Sequence, residues 1–238
     1  MPDNNNQGLV LIGGGGHCRS IIELIESIHS YSISMGGKIK IGKIVDTKEN
    51  LGKAVVGDYF VNESMDNLEE LTEQYKNFVL AFGQIKTPNG RPELVRRLKE
   101  LGVKFPTLIS PYARVSSYSF ISAGTVIMAG SVVNANARIG HYSIINTGAC
   151  VEHDAAVGNY THISTNAVVN GGSQVGNCCL VGSNAVILQQ MKVCDKTVVG
   201  AGSVVIKHIT EPYGIYVGNP AVLVKKNDDL LKYEGNVT

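Results

Sequence analysis

Between Ile109 and Thr210 the chain places a β-branched aliphatic residue at every sixth position, without insertion or omission, for seventeen consecutive hexads. An amphipathic helix repeats its apolar residues near every 3.6 positions and a half-buried strand at every second position, so neither accounts for a period of six. The period predicts a solenoid whose coil has three short flat faces, one hexad per face. The repeating positions are Ile109, Val115, Ile121, Ile127, Val133, Ile139, Ile145, Val151, Val157, Ile163, Val169, Val175, Val181, Ile187, Val193, Val199 and Val205.

A second position of the hexad is also restricted. The residue four places after the aliphatic one is small in fifteen of the seventeen hexads, and Met191 and Ile209 are the exceptions. We expect the aliphatic side chain to fill the interior and the small one to let the chain turn at a corner. Three hexads make one coil, so between five and six coils form, and both ends of the array need a cap.

The residues ahead of the solenoid follow a different pattern, in which apolar runs alternate with segments of helical spacing. Leu9 to Ile12 reads as a strand, and a glycine loop then leads into a helix from His17 to His29. This alternation predicts a small, Rossmann-like parallel sheet with helices. The other predicted elements are strands at Ile39–Val45 and Asn77–Phe82 and helices at Met65–Tyr75 and Arg91–Leu101, the last with Asn89 as a possible N-cap.

The carboxyl ends of these strands carry the candidate binding residues of this region, because ligands of open parallel sheets bind there. They are Gly13, Gly14, Gly15 and Gly16, then Asp46 and Gly83. A glycine loop that opens a helix offers unpaired N–H groups to a phosphate. Cys18 and the late Asp46 do not fit the dinucleotide fingerprint. A nucleotide-type phosphate ligand and a tight turn without a ligand both remain open.

Composition limits the classes of partner. The 238 residues are 44% hydrophobic and carry 21 basic and 20 acidic side chains without a long run of either sign, so neither nucleic acid nor a membrane surface is expected. No apolar span of eighteen residues occurs, and the start of the sequence lacks the pattern of a signal peptide. We expect a cytoplasmic protein whose five cysteines are reduced and mostly structural.

Reactive groups of a solenoid must stand outside its aliphatic interior. The histidines available are His141, His153, His162 and His208, and their spacings of 12, 9 and 46 do not suggest converging metal ligands, so no metal is expected. His153 lies between Glu152 and Asp154, and a carboxylate beside a neutral imidazole is suited to general-base catalysis. Asn146 is a candidate polar partner of His153. A solvated corner and a catalytic site both remain open from these residues alone.

Longer motifs resemble a known family. The segment INTGACVEHDAAVGNYTHISTNAVV, which ends at Val169, is followed by Gly171, Gly182 and the closing GIYVGNPA at Gly214–Ala221. Together with GGGGHC near the start, they closely resemble the bacterial sugar acetyltransferases of the sialic acid O-acetyltransferase family. Within it, the UDP-4-amino-sugar N-acetyltransferase of the bacillosamine pathway is the most similar.

The resemblance implies a left-handed parallel β-helix that forms a homotrimer and binds acetyl-CoA between neighbouring solenoids. It implies three segments: residues 1–106 for the sugar nucleotide, 107–210 for acetyl-CoA and 211–238 as a terminal tail or cap. His153 becomes the general base and Asp154 its orienting acid. The residues implied for acetyl-CoA are His162, Gly171, Gly182, Gly218 and Pro220, and those for the sugar nucleotide are the loop Gly13–His17, Asp46, Gly83 and Asn146.

The implied reaction is N-acetylation of a nucleotide-linked amino-deoxy sugar, with a UDP-linked 4-amino-4,6-dideoxy sugar as the expected acceptor. The segments HSYSISMGGK and GQIKTPNGRPE are longer than in the relatives and leave the nucleotide open among UDP, GDP and dTDP. Three alternatives remain. One is an O-acetyltransferase of a sialic-acid-like sugar. Another is a sugar nucleotidyltransferase, for which the first domain is too short, and the last is a non-catalytic scaffold.

Overall fold

The computed structural model describes residues 8–33, 39–84 and 90–227. The predicted N-cap Asn89 lies outside these residues, as do parts of the segments HSYSISMGGK and GQIKTPNGRPE. The chain forms two compact units. The first contains the described residues up to Gly83 together with Glu93–Ser110, and the second contains Gln84, residues 90–92 and the described chain from Pro111 onward. The boundaries expected at 106/107 and 210/211 stay predictions.

The first unit is built on a parallel four-stranded sheet, which confirms the predicted sheet. Its elements are β1 Leu9–Ile12, α1 Gly16–Ile33, β2 Ile41–Asp46, β3 Ala54–Val56, β4 Tyr59–Phe60, β5 Glu63–Ser64, α2 Leu68–Gln74, β6 Asn77–Leu80 and α3 Arg91–Glu100, with 3₁₀ turns at Lys48–Asn50 and Met65–Asn67. The strands lie in the order β5-β2-β1-β6. Helix α1 runs to Ile33, four residues beyond the prediction. The sequence reading missed the short antiparallel pair β3–β4 and the edge strand β5.

The solenoid confirms the hexad register at all seventeen positions, because each aliphatic residue is the second residue of a two-residue strand. Each strand from Arg114–Val115 to Val186–Ile187 pairs in parallel with the strand eighteen residues later, as Ile144 does with His162. The strands are β7 Leu108–Ile109, β8 Arg114–Val115, β9 Phe120–Ile121, β10 Val126–Ile127, β11 Val132–Val133, β12 Arg138–Ile139, β13 Ile144–Ile145, β14 Cys150–Val151, β15 Ala156–Val157, β16 His162–Ile163, β17 Val168–Val169, β18 Gln174–Val175, β19 Leu180–Val181, β20 Val186–Ile187, β21 Lys192–Val193, β22 Val198–Val199 and β23 Val204–Val205.

Three faces follow from this pairing, and the fold is a left-handed parallel β-helix. Face one carries β10, β13, β16, β19 and β22. Face two carries β8, β11, β14, β17, β20 and β23. Face three carries β9, β12, β15, β18 and β21. We call the turns from face one to face two the first corner, and the turns from face two to face three the second corner.

The interior is a stack of valine and isoleucine. Every repeating aliphatic residue from Ile127 to Val205 is at most 3% exposed. In the first coil Val115 and Ile121 are half-buried and Ile109 is 37% exposed, so the expectation of an interior position is wrong for Ile109. Burial of one such side chain contributes about 1.5–3 kcal/mol, so the stack supplies a large part of the stability. The interior has no room for chemistry, which must occur at the corners or on the outer faces.

The fourth residue of many hexads has a left-handed backbone. Asn136, Asp154 and Asn166 have φ values of 59°, 61° and 56°, and glycines occupy other corners. Asparagine, aspartate and glycine tolerate this conformation better than other residues do. An acidic residue after His153 is therefore compatible with the turn as well as with catalysis.

The last coil is followed by the strands β24 Gly214–Val217 and β25 Val222–Lys226. Strand β24 pairs with β22 in parallel, and β25 pairs with β24 in antiparallel. Tyr216 packs on the hydrophobic core beneath them. Among the described residues, no helix is both long and apolar enough to span a membrane.

Candidate active site

His153 stands on the second corner, at the third position of the Val151 hexad. Its imidazole Nδ1 lies 2.8 Å from Oδ2 of Asp154, and the two side chains are 66% and 57% exposed. An ionised carboxylate only accepts hydrogen bonds, so Nδ1 carries the proton and Nε2 keeps its lone pair. The arrangement leaves a basic nitrogen available at an accessible corner.

The charges around His153 favour its protonated form. The hydrogen bond with Asp154 raises the pKa of His153, and the charges of Asp154 and Glu152 act in the same direction. Hydrogen bonds from His153 and from Asn136 lower the pKa of Asp154, so this carboxylate is ionised at neutral pH. The pair therefore combines an ionised acid with an imidazole of increased basicity.

Gly171 lies directly against the His153 ring. A Cβ atom on Gly171 would stand 2.8 Å from both Cε1 and Nε2 of His153, a distance so short that the ring would have to shift. Gly171 occupies the same hexad position one coil later, and the neighbouring Gly172 N–H donates to the carbonyl of His153 at 3.0 Å. Only glycine at position 171 leaves space for the imidazole in this orientation.

His162 occupies a contrasting environment on face one. It is 8% exposed, its Nδ1 lies 3.0 Å from the carbonyl oxygen of Gln84, and its Nε2 lies 3.1 Å from Nδ2 of Asn146. A carbonyl can only accept, so Nδ1 carries the proton and Nε2 accepts from the Asn146 amide. Burial lowers the pKa of His162 to about 4, although the Gln84 hydrogen bond opposes the shift.

The expected partnership between Asn146 and His153 is wrong. Asn146 is the second residue of its hexad and lies on the first corner, whereas His153 lies on the second corner, across face two. The amide of Asn146 is bonded to His162 instead. The assignments of Asn146 to the sugar nucleotide and of His162 to acetyl-CoA stay predictions.

Asn146, His162 and Gly182 share one cavity of about 340 Å³ on face one and the first corner, which Gln84 and Ala201 also line. A Cβ atom on Gly182 would approach the backbone nitrogen of Ala201 to 2.5 Å, so this glycine permits the stacking of two coils. The cavity brings together residues that the sequence reading assigned to both substrates.

The remaining two residues predicted for acetyl-CoA, Gly218 and Pro220, do not line this cavity. They follow β24 beside the last coil, where the Gly218 N–H donates to Oγ of Ser203 at 3.0 Å and its carbonyl accepts from Val204. Across the described residues, no group of three or more histidine, cysteine, aspartate or glutamate side chains is arranged to hold a metal.

The glycine loop connects β1 with α1 in the first unit. Gly13 has a φ of 107°, and Gly14 has no space for a Cβ, which would lie 2.5 Å from Cγ2 of Val61. A Cβ on Gly15 or Gly16 would meet no atom within 4 Å. The loop is thus tightly constrained where it leaves the strand and open where the helix begins, as phosphate binding requires.

Asp46, at the end of β2, is bonded to this loop. Its Oδ2 accepts from the Gly14 N–H at 2.5 Å, and its Oδ1 accepts from Thr47 and Asn50. Burial opposes ionisation, but hydrogen bonds from these three donors outweigh it and lower the pKa of Asp46. Gly83 lies beside His17, whose Cγ would be 3.8 Å from a Cβ on this glycine. All the residues predicted to bind the sugar nucleotide in the first unit therefore surround one loop.

The sequence reading missed three residues of the second unit. Asn136 donates from Nδ2 to Oδ1 of Asp154 at 3.1 Å, and Gln84 holds the ring of His162. Arg91 is 1% exposed and donates from Nη2 to the carbonyl of Tyr142 at 2.7 Å, and burial lowers the pKa of its guanidinium to about 10. The hexad register places Asn136 one coil before Asp154, but no periodic signal places Gln84 or Arg91.

Known proteins share both the first unit and the solenoid. The family described as PglD N-terminal domain matches residues 8–98. A histidine-to-asparagine variant of perosamine N-acetyltransferase from Caulobacter crescentus, in complex with CoA and GDP-perosamine, is 30% identical, with 92% of this chain and 97% of that chain covered and a TM-score of 0.79.

Two further solved structures are similar to this chain. The acetyltransferase domain of PglB from Neisseria gonorrhoeae, in complex with acetyl coenzyme A, is 30% identical, with 92% of this chain and 100% of that domain covered and a TM-score of 0.78. WeeI from Acinetobacter baumannii shares the fold at 21% identity, with 91% and 99% covered and a TM-score of 0.75. No curated protein sequence gives a significant match.

Proposed function

This chain belongs to the hexapeptide-repeat family of nucleotide-amino-sugar N-acetyltransferases, and we propose a reaction for it on that basis. It transfers the acetyl group of acetyl-CoA to the amino group of a nucleotide-linked amino-deoxy sugar. His153 is the proposed general base. The chain is an acyltransferase. The observation that carries the proposed base is the 2.8 Å hydrogen bond between Nδ1 of His153 and Asp154, which directs the basic Nε2 away from the carboxylate.

The proposed step uses the neutral form of His153. The free amine of the sugar attacks the thioester carbonyl of acetyl-CoA, and Nε2 takes the proton that the nitrogen loses. The C–S bond then breaks, CoA leaves as thiolate, and the imidazolium returns the proton to sulfur or to solvent. Asp154 stabilises the imidazolium during this step, and no covalent acetyl-enzyme is needed.

Stabilisation of the oxyanion is assigned to the backbone near Gly171. This residue lies against the His153 ring, where an added Cβ would stand 2.8 Å from Nε2, and its N–H group is the proposed donor. Backbone N–H groups that are fixed before the reaction stabilise a developing oxyanion without reorganisation. The two coils that carry His153 and Gly171 are joined through the hydrogen bond from Gly172, which supports a fixed geometry.

We assign acetyl-CoA to the solenoid and the sugar nucleotide to the first unit. The cavity with His162 and Gly182 is proposed for acetyl-CoA, with Gly218 and Pro220 at the far end of the cofactor. The phosphates of the nucleotide are placed on Gly13–His17, where the open positions Gly15 and Gly16 give the backbone access. Asp46 and Gly83 complete the sugar-nucleotide set of the first unit, and UDP is the proposed nucleotide.

The proposed assembly is the homotrimer that the resemblance implies, and the composition of face two supports association between copies of the chain. The outward residues of β11, β17, β20 and β23 are valines and that of β14 is a cysteine, and all of them are half-buried in the single chain. A row of apolar side chains on a flat face is suited to association with further copies of the chain. Acetyl-CoA would then lie between neighbouring solenoids.

A thiol-release assay tests the reaction. Acetyl-CoA is incubated with UDP-, GDP- and dTDP-linked 3- and 4-amino sugars and with free sialic acid, and the deaminated sugar nucleotides serve as controls. We expect the UDP-linked 4-amino-4,6-dideoxy sugar to give the fastest release, with one thiol per acetylated amine. A faster GDP or dTDP acceptor would overturn the nucleotide alone. Acetylation of sialic acid alone would replace N-acetylation by O-acetylation, and an inert panel would contradict the enzymatic proposal.

A further inference from the structure

We propose that Asn136 is a positioning residue for catalysis, which acts through Asp154 on the base His153. This inference rests on the function proposed for His153. The contact that carries it is the hydrogen bond from Nδ2 of Asn136 to Oδ1 of Asp154, at 3.1 Å. Asn136 lies eighteen residues before Asp154, so it belongs to the preceding coil and supports the catalytic pair from below.

The two oxygens of Asp154 have different partners. Oδ2 lies 2.8 Å from Nδ1 of His153, and Oδ1 accepts from Asn136. A carboxylate held through both oxygens has a fixed plane, whereas one held through a single oxygen can rotate. Asp154 is 57% exposed, so water competes for both oxygens. The Asn136 amide therefore keeps Oδ2 directed at the imidazole.

The backbone conformation at both residues supports this contact. Asn136 and Asp154 each occupy the fourth position of a hexad, with φ values of 59° and 61°. The N–H of Asp154 donates to the carbonyl of Ala135 at 3.1 Å, which joins the two corners. The same backbone shape one coil apart places the amide of Asn136 directly beneath the carboxylate.

A second asparagine of the preceding coil explains why Asp154, and not Glu152, is the partner of the ring. Nδ2 of Asn134 donates to Oε2 of Glu152 at 2.8 Å. The same oxygen lies 3.4 Å from the backbone nitrogen of His153, so this carboxylate is directed to the backbone. Two asparagine amides of one coil thus give the two carboxylates different roles, because Glu152 is directed to the backbone and Asp154 to the imidazole ring.

The same type of bond occurs without a histidine elsewhere in the solenoid. Nδ2 of Asn177 donates to Oδ2 of Asp195 at 3.1 Å, again across eighteen residues, on the corner between faces three and one. An asparagine–aspartate bond between coils is therefore a general element of this solenoid. What distinguishes Asn136 is that its aspartate orients His153. Asn177, whose Oδ1 also accepts from the Asn159 N–H at 2.8 Å, supplies a control that loses an inter-coil bond without a histidine.

The test compares Asn136→Gly with Asn177→Ala. Glycine adopts a φ near 59° without strain, so the first variant removes the amide and keeps the turn. The pKa of His153 is measured by NMR on histidine-labelled protein without substrate, with His153→Ala for assignment. The pH dependence of kcat/KM, kcat, the KM for acetyl-CoA and the melting temperature are measured in parallel, with the fastest acceptor of the panel.

We expect Asn136→Gly to lower kcat about three- to tenfold, as for the loss of one ordinary hydrogen bond at an exposed site, with little change in KM. The pKa of His153 and the acidic limb of kcat/KM move down towards the ordinary histidine value, because Asp154 no longer holds the ring. Asn177→Ala changes neither. A merely structural role for Asn136 would change the melting temperature and leave the pKa in place.

Two results would overturn the inference. One is an Asn136→Gly protein with the kcat and the His153 pKa of the wild type, and the other is an equal effect of both variants. If His153→Ala retains the wild-type rate, the proposed base itself is wrong. If His153→Ala is inactive while Asn136→Gly is unchanged, only the positioning role fails, so the two failures are distinguishable.

Discussion

Two histidines nine residues apart have opposite environments on the same solenoid. His153 is two-thirds exposed at the second corner, and a carboxylate raises its pKa. His162 is buried on face one between a carbonyl and an amide, and its pKa falls to about 4. The first is a base that can exchange protons near neutral pH, and the second is a neutral group with a fixed tautomer.

The difference arises from position within the hexad. The third position of a hexad lies in the turn, outside the aliphatic stack, and the sixth position precedes the interior residue on a flat face. His162 takes the sixth position, where Gln84 covers its ring. A histidine at the third position of a hexad is therefore a solvated base, whereas a histidine at the sixth position is a buried, neutral hydrogen-bonding group.

The largest effect is expected from the exposed histidine. His153→Ala should lower kcat about a hundredfold or more, because general-base catalysis is lost, while the KM for acetyl-CoA changes little. Steady-state kinetics with the best acceptor measure both constants. His141→Ala, at another corner of the solenoid, should keep the wild-type kcat. A His153→Ala enzyme whose kcat is within a few fold of the wild-type value would show that His153 is not the general base.

The buried histidine should instead control stability at low pH. His162 has a folded-state pKa of about 4, below the unfolded value near 6.5, so only the unfolded chain binds the proton between these values. The free energy of unfolding is therefore complete above pH 6.5 and decreases as the pH falls towards 4, by about 3 kcal/mol in total.

Urea unfolding at a series of pH values measures this decrease. His162→Asn retains an amide donor for Gln84 and an acceptor for Asn146 but has no group that titrates in this window, so its stability should change less between pH 7 and pH 4. The carboxylates with lowered pKa values, such as Asp46, are present in both proteins, so their contribution cancels in the difference between wild type and variant. Equal losses in the wild type and the variant would contradict a neutral buried His162.

The sequence predicted most of the solenoid and less of the site, for a physical reason. A period of six determines which residue points inward, so all seventeen strands follow from it, and the second corner of His153 follows from its place in the register. The same register could have paired Asn136 with Asp154 and separated Asn146 from His153. Gln84 and Arg91 approach from outside the repeat, and the short strands Ala54–Val56 and Tyr59–Phe60 are too brief for a periodic signal.

The smallest effects are expected when the glycine beside each histidine is replaced by alanine. In Gly171→Ala the new Cβ meets only the end of the exposed His153 side chain, which can move aside. We expect kcat to fall about tenfold through misplacement of the base, with an unchanged melting temperature. In Gly182→Ala, beside the His162 cavity, the Cβ meets the backbone of Ala201, which cannot move. That variant should lose about 1–3 kcal/mol of stability, measured by urea unfolding. A Gly171→Ala protein that is destabilised but has the kcat of the wild type would show that Gly171 supports the coil rather than the base.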